Sequence, residues 1–439
     1  MAFRLLLAFN LFAFFASNLF SQNPDLYFPP KTGNTWQTIA PSELGFCPEK
    51  IDSLYGFLEE RGTKSFILLK DGRIVLEKYF GTFTQDSFWY WASAGKSLTA
   101  FLVGQAQEEG LLNIHNKTSD YLGTGWTSVP PDKEALITVW HHLTMTTGLE
   151  DNVANDNCEM PSCLTYKADA GTRWAYHNAP YRLVHKVLES ASGQNMNLFT
   201  KNRMLDRTGM KGLWLDRVMY GKARDMARFG LLMLANGVWD GDTLLHDPQY
   251  LNDMVRPSQN LNKSYGYLWW LTGQESFMLP GLQFVFSGKT IPNAPDDMYA
   301  ALGKNDQKIH VVPSKGWVVV RQGEAGYQGP GGGNVPIVFD NAMWGYLNQL
   351  VCAPVSVNET IENPIRIWPN PATNGWQIEA AAPIERVEAF DLQGKMLLSL
   401  TGNRATTVWV DAAELPKGVF VVKIITSEMQ TLVGKAVKR

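Results

Sequence analysis

The chain has 439 residues, of which 45% are hydrophobic, 12% aromatic and 18% charged, and its formal net charge is −3. That is globular composition, with length for one large domain and a small one. The charges are spread thinly, without the basic face of a nucleic-acid binder or the polybasic patch of a membrane-surface protein, so neither partner is expected.

The opening residues read MAFRLLLAFNLFAFFASNLFSQ: one positive charge at Arg4, an apolar stretch, then small residues around Ser17 and Ser21. This is the build of a secretory signal peptide over residues 1–21, cleaved between Ser21 and Gln22. A membrane anchor is the rival reading, and the short apolar core weighs against it. No later segment is apolar enough to form a stable membrane span.

Export into an oxidising compartment permits disulfides. Cys158 and Cys163 lie five apart in a polar, Pro-containing loop that a short bridge can staple. Cys47 and Cys352 are then left for each other, at the two ends of the main domain. The four cysteines allow three pairings, and the sequence alone selects none. A zinc site is the poorer alternative, because no His lies near the Cys-x₄-Cys spacing.

Residues 22 to about 45 read as extended and loop-like. Ile51, Leu54, Tyr55 and Leu58 recur at helical spacing and predict a helix. SFILLKDGRIVLEKYF predicts a β-hairpin turning at Lys70-Asp71-Gly72. After the aromatic run Phe88 to Trp91, a helix is expected from near Ser93 to Gly110. Residues 111–280 read as helix and loop, with helices at 179–191 and 223–236. QKIHVVP and GWVVVRQGE predict a second hairpin through Pro313 to Gly316, and NAMWGYLNQLV a terminal helix. Strands at both ends and helices between them predict an α+β domain over 36–352, its antiparallel sheet assembled from both chain ends. Composition shifts at 353–362, a linker, and about seven short β-type runs over 363–439 predict a small all-β sandwich.

Two clusters carry candidate chemistry. In Ser93-Ala94-Gly95-Lys96, three residues make nearly one helical turn, so hydroxyl and ammonium share a face. A serine hydroxyl needs an adjacent base to attack a carbonyl, and a lysine serves only if its surroundings lower its pKa. The helix start adds free N–H donors and a positive potential for a developing oxyanion. In Tyr176-His177-Asn178, the phenol can share proton transfer and the amide can orient a substrate. Each cluster alone is weak, since serines cap helices, lysines sit in solvent and tyrosines fill cores.

Together, Ser93 with Lys96, Tyr-x-Asn about 80 residues later and a closing hairpin resemble the serine β-lactamase-like and penicillin-binding-protein-like hydrolases. Within them the chain is most similar to the branch of class C β-lactamases, family VIII esterases and D-amino-acid-specific peptidases. ITVWHHLTMTTGLED (137–151), Tyr176-His-Asn-Ala-Pro-Tyr181, TGMKGLWLD (208–216), KARDMARFGLLMLANGVWDGDTLL (222–245) and YGYLWW (265–270) extend the likeness across residues 36–352. The resemblance implies that Ser93 is acylated and that Lys96 takes its proton. It gives Tyr176 the protonation of the leaving group and help with the deacylating water, and Asn178 a substrate contact. The third family motif falls on Ala301 to Ile309, with Lys304 as candidate cation, Asn305 beside it, and Asp306 where a glycine is usual. On a strand Lys304 and Asp306 share a face and partly cancel, which favours neutral esters or amides over β-lactams. No metal or cofactor is implied.

The function so implied is a secreted serine hydrolase cleaving a small ester or amide through an acyl-Ser93 intermediate. A D-amino-acid-specific peptidase or carboxypeptidase and a non-catalytic ligand-binding homologue are the alternatives. His141-His142 read as packing or capping, and His177 as facing away from the site more often than into it. Trp269-Trp270 read as core, Ser287-Gly288-Lys289-Thr290 as a loop coincidence, and GPGGGN (329–334) as a turn.

The C-terminal residues resemble the sorting domain of type IX secretion cargo. The matching features are Trp368-Pro369-Asn370-Pro371-Ala372, Ala389 to Lys395, Leu415 to Phe420 and the basic end at Lys435, Lys438 and Arg439. The resemblance implies recognition by that secretion machinery through 363–439 and a location at the cell surface or in the medium. A carbohydrate-binding sandwich is the alternative.

Overall fold

A computed structural model describes residues 26–327, 337–352, 365–392, 394–428 and 430–439. The expected signal peptide (1–21), linker (353–362) and Gly-rich turn (329–334) lie outside the described residues. The chain divides into two compact units, Met1–Cys352 and Ala353–Arg439, each with its own apolar core.

The first unit is built on a six-stranded antiparallel sheet. Helix α1 (Pro48–Glu60) leads into β1 (Thr63–Lys70) and β2 (Arg73–Tyr79). Their turn is Asp71-Gly72, both left-handed at φ 48° and 82°. Asp tolerates that region, and Gly72 is required, because a Cβ there would meet the Tyr27 carbonyl oxygen at 1.9 Å. Helix α2 (Gly95–Glu108) is buried on every side from Gly95 to Ala106. Helices α3 (Asn178–Ser192) and α4 (Ala223–Leu234) are amphipathic, and α4 lies against the sheet.

The chain then returns to the sheet through β3 (Trp270–Leu271), β4 (Tyr299–Gly303), β5 (Gln307–Val312) and β6 (Trp317–Gly323). Strand order is β2-β1-β6-β5-β4-β3, so the first strands pair with the last and the helical region is the excursion between them. Helix α5 (Ile337–Leu347) ends the unit; its start lies four residues earlier than the sequence reading placed it. A Cys47–Cys352 disulfide joins the two ends of this unit, and Cys158–Cys163 closes a short loop.

Among the described residues the second unit has seven strands: β7 (Ile365–Trp368), β8 (Gly375–Ala380), β9 (Ile384–Phe390), β10 (Met396–Thr401), β11 (Thr407–Asp411), β12 (Gly418–Thr426) and β13 (Thr431–Lys438). They form two antiparallel sheets, β7-β8-β11 and β10-β9-β12-β13. Trp376, Ile378, Val387, Ile424 and Ala436 fill the space between them. The architecture is therefore an α+β unit and a small all-β unit.

One local expectation fails. Lys304, Asn305 and Asp306 do not continue a strand; they form the tight turn between β4 and β5, with Asn305 and Asp306 left-handed at φ 59° and 63°. A turn of that shape breaks the alternation that would set Lys304 beside Asp306. Lys304 is exposed, whereas Asp306 is only 2% exposed and points inward.

Candidate active site

A cleft of about 280 Å³ is lined by Ser93, Asp151, Asp156, Tyr176, Asn178, Trp270, Pro280, Gly281, Leu302 and Lys304. Ser93 sits on a single 3₁₀ turn, Ala92–Ala94, that feeds α2. Ala92 adopts a left-handed φ of 47°, and the Trp91 N–H is tied to the Met219 carbonyl at 2.8 Å. The chain thus turns sharply just before the serine and presents it at the helix mouth, where first-turn N–H groups have no intrahelical acceptor.

One turn on, Lys96 Nζ lies 2.8 Å from Ser93 Oγ and 2.9 Å from Asn178 Oδ1. Lys96 is 4% exposed and packs against the rings of Tyr181 and Tyr176, at 4.4 and 5.2 Å from their centroids. Burial lowers its pKa from 10.5 to about 7; the Asp156 carboxylate opposes that shift and Arg182 adds to it. The Tyr176 phenol faces the same cleft as Ser93; burial drives its pKa upward, and the Ser93 hydroxyl opposes that shift. The Tyr176 ring stacks on Trp270 at 5.8 Å. The two groups beside the serine are thus pushed apart: the amine toward neutrality near pH 7, the phenol away from phenolate.

Asn178 is the first residue of α3, and its amide bridges inward to Lys96 and outward to Asp156, donating from Nδ2 to Oδ2 at 2.7 Å. Lys304 reaches the cleft from the β4–β5 turn, while Asn305 donates its side-chain amide to the Tyr90 hydroxyl at 2.7 Å. Asp306 lies behind, where its carboxylate accepts the Gly326 N–H at 2.7 Å and pairs with Lys308 at 3.1 Å. Lys308 in turn meets Asp340 of α5 at 2.6 Å.

His177 is buried and lines no part of the cleft, and neither ring nitrogen has a hydrogen-bond partner among the described residues. His141 accepts the Thr138 N–H at 3.0 Å, and His142 sits between Thr118 and the Pro180 carbonyl. Burial lowers both to about 4, so they are neutral packing residues. Among the described residues no group of three His, Cys, Asp or Glu side chains is placed to hold a metal ion.

Sequence reasoning missed Asp151, Asp156, Pro280, Gly281 and Leu302 as lining residues; Trp270, read as core, is buried in the core and also lines the cleft. Asp156 carries no local signal of its own. Its one clue is its place two residues before the stapled pair Cys158–Cys163, which holds that loop short over the start of α3.

A family profile described as Beta-lactamase matches residues 58–343, and one described as a secretion system C-terminal sorting domain matches residues 366–439. No curated protein matches the sequence. Among solved structures, a provisionally named 6-aminohexanoate-dimer hydrolase from Bacillus anthracis is similar at TM-score 0.56 and 17% identity, covering 74% of this chain and 89% of that one. A provisionally named β-lactamase from Bacteroides dorei DSM 17855 is similar at TM-score 0.56 and 17% identity, covering 70% of this chain and 99% of that one. At such identity the likeness speaks for the fold. The sorting domain addresses the protein to the type IX secretion route and hence to the cell surface or the extracellular space. With well over half of its length matched by the profile, the chain belongs to the β-lactamase family, within the wider superfamily of serine hydrolases.

Proposed function

We propose that this protein hydrolyses a small ester or amide through a covalent acyl-Ser93 intermediate. The observation that carries the reading is the 2.8 Å contact between Ser93 Oγ and a buried lysine whose pKa is lowered to about 7. A neutral amine has one lone pair and two N–H groups. With one N–H held by Asn178 Oδ1, the lone pair is free to turn to the serine proton. Lys96 is the base of the attack and Tyr176 is not, because burial disfavours phenolate.

The attack makes a bond from Oγ to the substrate carbonyl carbon and moves the serine proton to Lys96. As the intermediate collapses and the bond from the carbonyl carbon to the leaving oxygen or nitrogen breaks, the neutral phenol of Tyr176 gives that atom its proton and is reprotonated by Lys96, which held the serine proton. Water then attacks the acyl carbon by the same path in reverse, and Ser93 is regenerated. Helix α2 opens at the serine, so its first-turn N–H groups and positive end favour the oxyanion. Asn178 and Lys304 line the substrate's side of the cleft.

The test is labelling with a fluorescent alkyl fluorophosphonate followed by mass location of the adduct. The expected adduct is on Ser93, and Ser93→Ala loses both label and ester turnover while its melting temperature is kept. Equal turnover by Ser93→Ala removes the mechanism.

A further inference from the structure

Asn178 cannot by itself decide which end of its amide faces Lys96, since oxygen and NH₂ are nearly the same shape. If the NH₂ group faced Lys96, two donors would meet and the ammonium form would lose a partner. Here the choice is made from outside: Asp156 accepts from Nδ2 at 2.7 Å, and an ionised carboxylate can only accept. That leaves Oδ1 for Lys96, at 2.9 Å. The position of Asp156 is itself enforced. The Cys158–Cys163 disulfide closes the turn that begins two residues after Asp156, and Glu159 within that turn, at 14% side-chain exposure, clamps it to α3 through Arg182 at 2.7 Å and Lys186 at 2.9 Å.

We propose that Asp156 is a positioning residue of the catalytic centre, which fixes the Asn178 amide and through it the orientation and proton affinity of Lys96. The stapled loop is then part of the active site. Among the described residues, Asp156 has no cationic side chain in contact with it, so its charge acts on Lys96 across the Asn178 bridge. The other groups facing Lys96 are the Ser93 hydroxyl, the Tyr176 and Tyr181 rings, and, at greater distance, the Arg182 guanidinium and the His185 imidazole. His185 is kept neutral by burial, leaving Asp156 as the charge that raises the proton affinity of Lys96 and Arg182 as the one that lowers it.

The inference rests on the reading of Lys96 as the base, and the experiment separates the two. The full-length mature protein is labelled with [¹³Cε]lysine and the Lys96 resonance, assigned with Lys96→Arg, is titrated in wild type, Asp156→Asn and Asp156→Ala. Ester turnover is followed over the same pH range with p-nitrophenyl butyrate. Asp156→Asn is expected to lower the Lys96 midpoint by roughly half a pH unit, the exposed carboxylate being screened by solvent. The acid limb of kcat/KM moves with it. Asp156→Ala, which also frees the amide to flip, is expected to lower kcat about tenfold with KM within about twofold. A merely structural residue moves the melting temperature and leaves the titration alone. An unmoved Lys96 midpoint in both variants overturns the inference, whether or not turnover falls. Absence of ester turnover in the wild type overturns the proposed function and leaves the titration to decide the role of Asp156.

Discussion

Gly303 and Trp91 meet so closely that a Cβ built on the glycine would lie 2.4 Å from the tryptophan's carbonyl oxygen and 3.1 Å from the Ala94 nitrogen. The Gly303 backbone is ordinary extended chain, at φ −127°, so conformational freedom is not the reason for a glycine here. Space is. The end of β4 lies directly against the turn that carries Ser93, and only a residue without a side chain lets the two backbones touch.

Gly303→Ala is therefore expected to push β4 off the Ser93 turn. Turnover and fluorophosphonate labelling should fall at least about a hundredfold, since misplacement of about 1 Å at a catalytic centre costs that much. The fold should survive with a lowered melting temperature. Unchanged labelling in the alanine variant would show that the contact relaxes without disturbing the serine.

Asp306 is buried and lines no part of the cleft. Its carboxylate is buried against Lys308 and the Gly326 N–H, behind the turn that offers Lys304 to the cleft. Asp306→Ala removes both partners and keeps the left-handed backbone, so a loss of about 2–4 kcal/mol is expected. The ratio of kcat/KM for p-nitrophenyl butyrate over nitrocefin should stay within about twofold of wild type, because no atom of the cleft wall changes. A large gain in nitrocefin turnover would return Asp306 to the pocket.

How far the site was legible follows from such cases. Ser93 and Lys96 are three apart on one chain segment, so helical geometry alone brings them together. The hairpins were legible because strand alternation and an Asp-Gly turn are local signals, as at Asp71-Gly72. Lys304 beside Asp306 was misjudged because a period of two holds only while the strand lasts, and a run of left-handed residues ends it at Asn305. Asp156 was missed because its role depends on a loop folding back over α3, a contact 22 residues away in sequence that no local pattern encodes. Trp270 was read as core because its chemistry and spacing are those of a core residue; it is 4% exposed, and its ring plane faces Tyr176.

The two units have separate apolar cores: Trp376, Ile378 and Phe420 belong to the C-terminal one, Leu98, Phe101 and Val319 to the other. Deleting residues 353–439 should therefore leave ester turnover within about twofold of the full-length protein. In a cell with the secretion machinery, the truncated enzyme should be found in the periplasm and not on the surface or in the medium. Fractionation with an activity assay reads both outcomes at once. Surface activity from the truncated protein would mean that the sorting signal lies elsewhere.

The last expectation concerns the cost of keeping a lysine in the core. In the unfolded chain Lys96 has its ordinary pKa of 10.5, and in the folded protein burial lowers it to about 7. Between those values the unfolded chain holds a proton that the folded one has shed, so stability rises with pH across this window. Below about pH 7 both states are protonated and the buried charge is a full penalty, on the order of 4–5 kcal/mol relative to pH 10.5. Lys96→Met keeps the volume and has nothing to titrate. It should melt higher than wild type at pH 6, by several degrees, and the advantage should shrink steadily toward pH 10. Its turnover should be absent throughout. In wild type, kcat/KM should rise with pH through about 7 as the amine loses its proton. A melting-temperature gap between Lys96→Met and wild type that is constant from pH 6 to pH 10 would mean that Lys96 titrates near its ordinary value. The serine would then need another base.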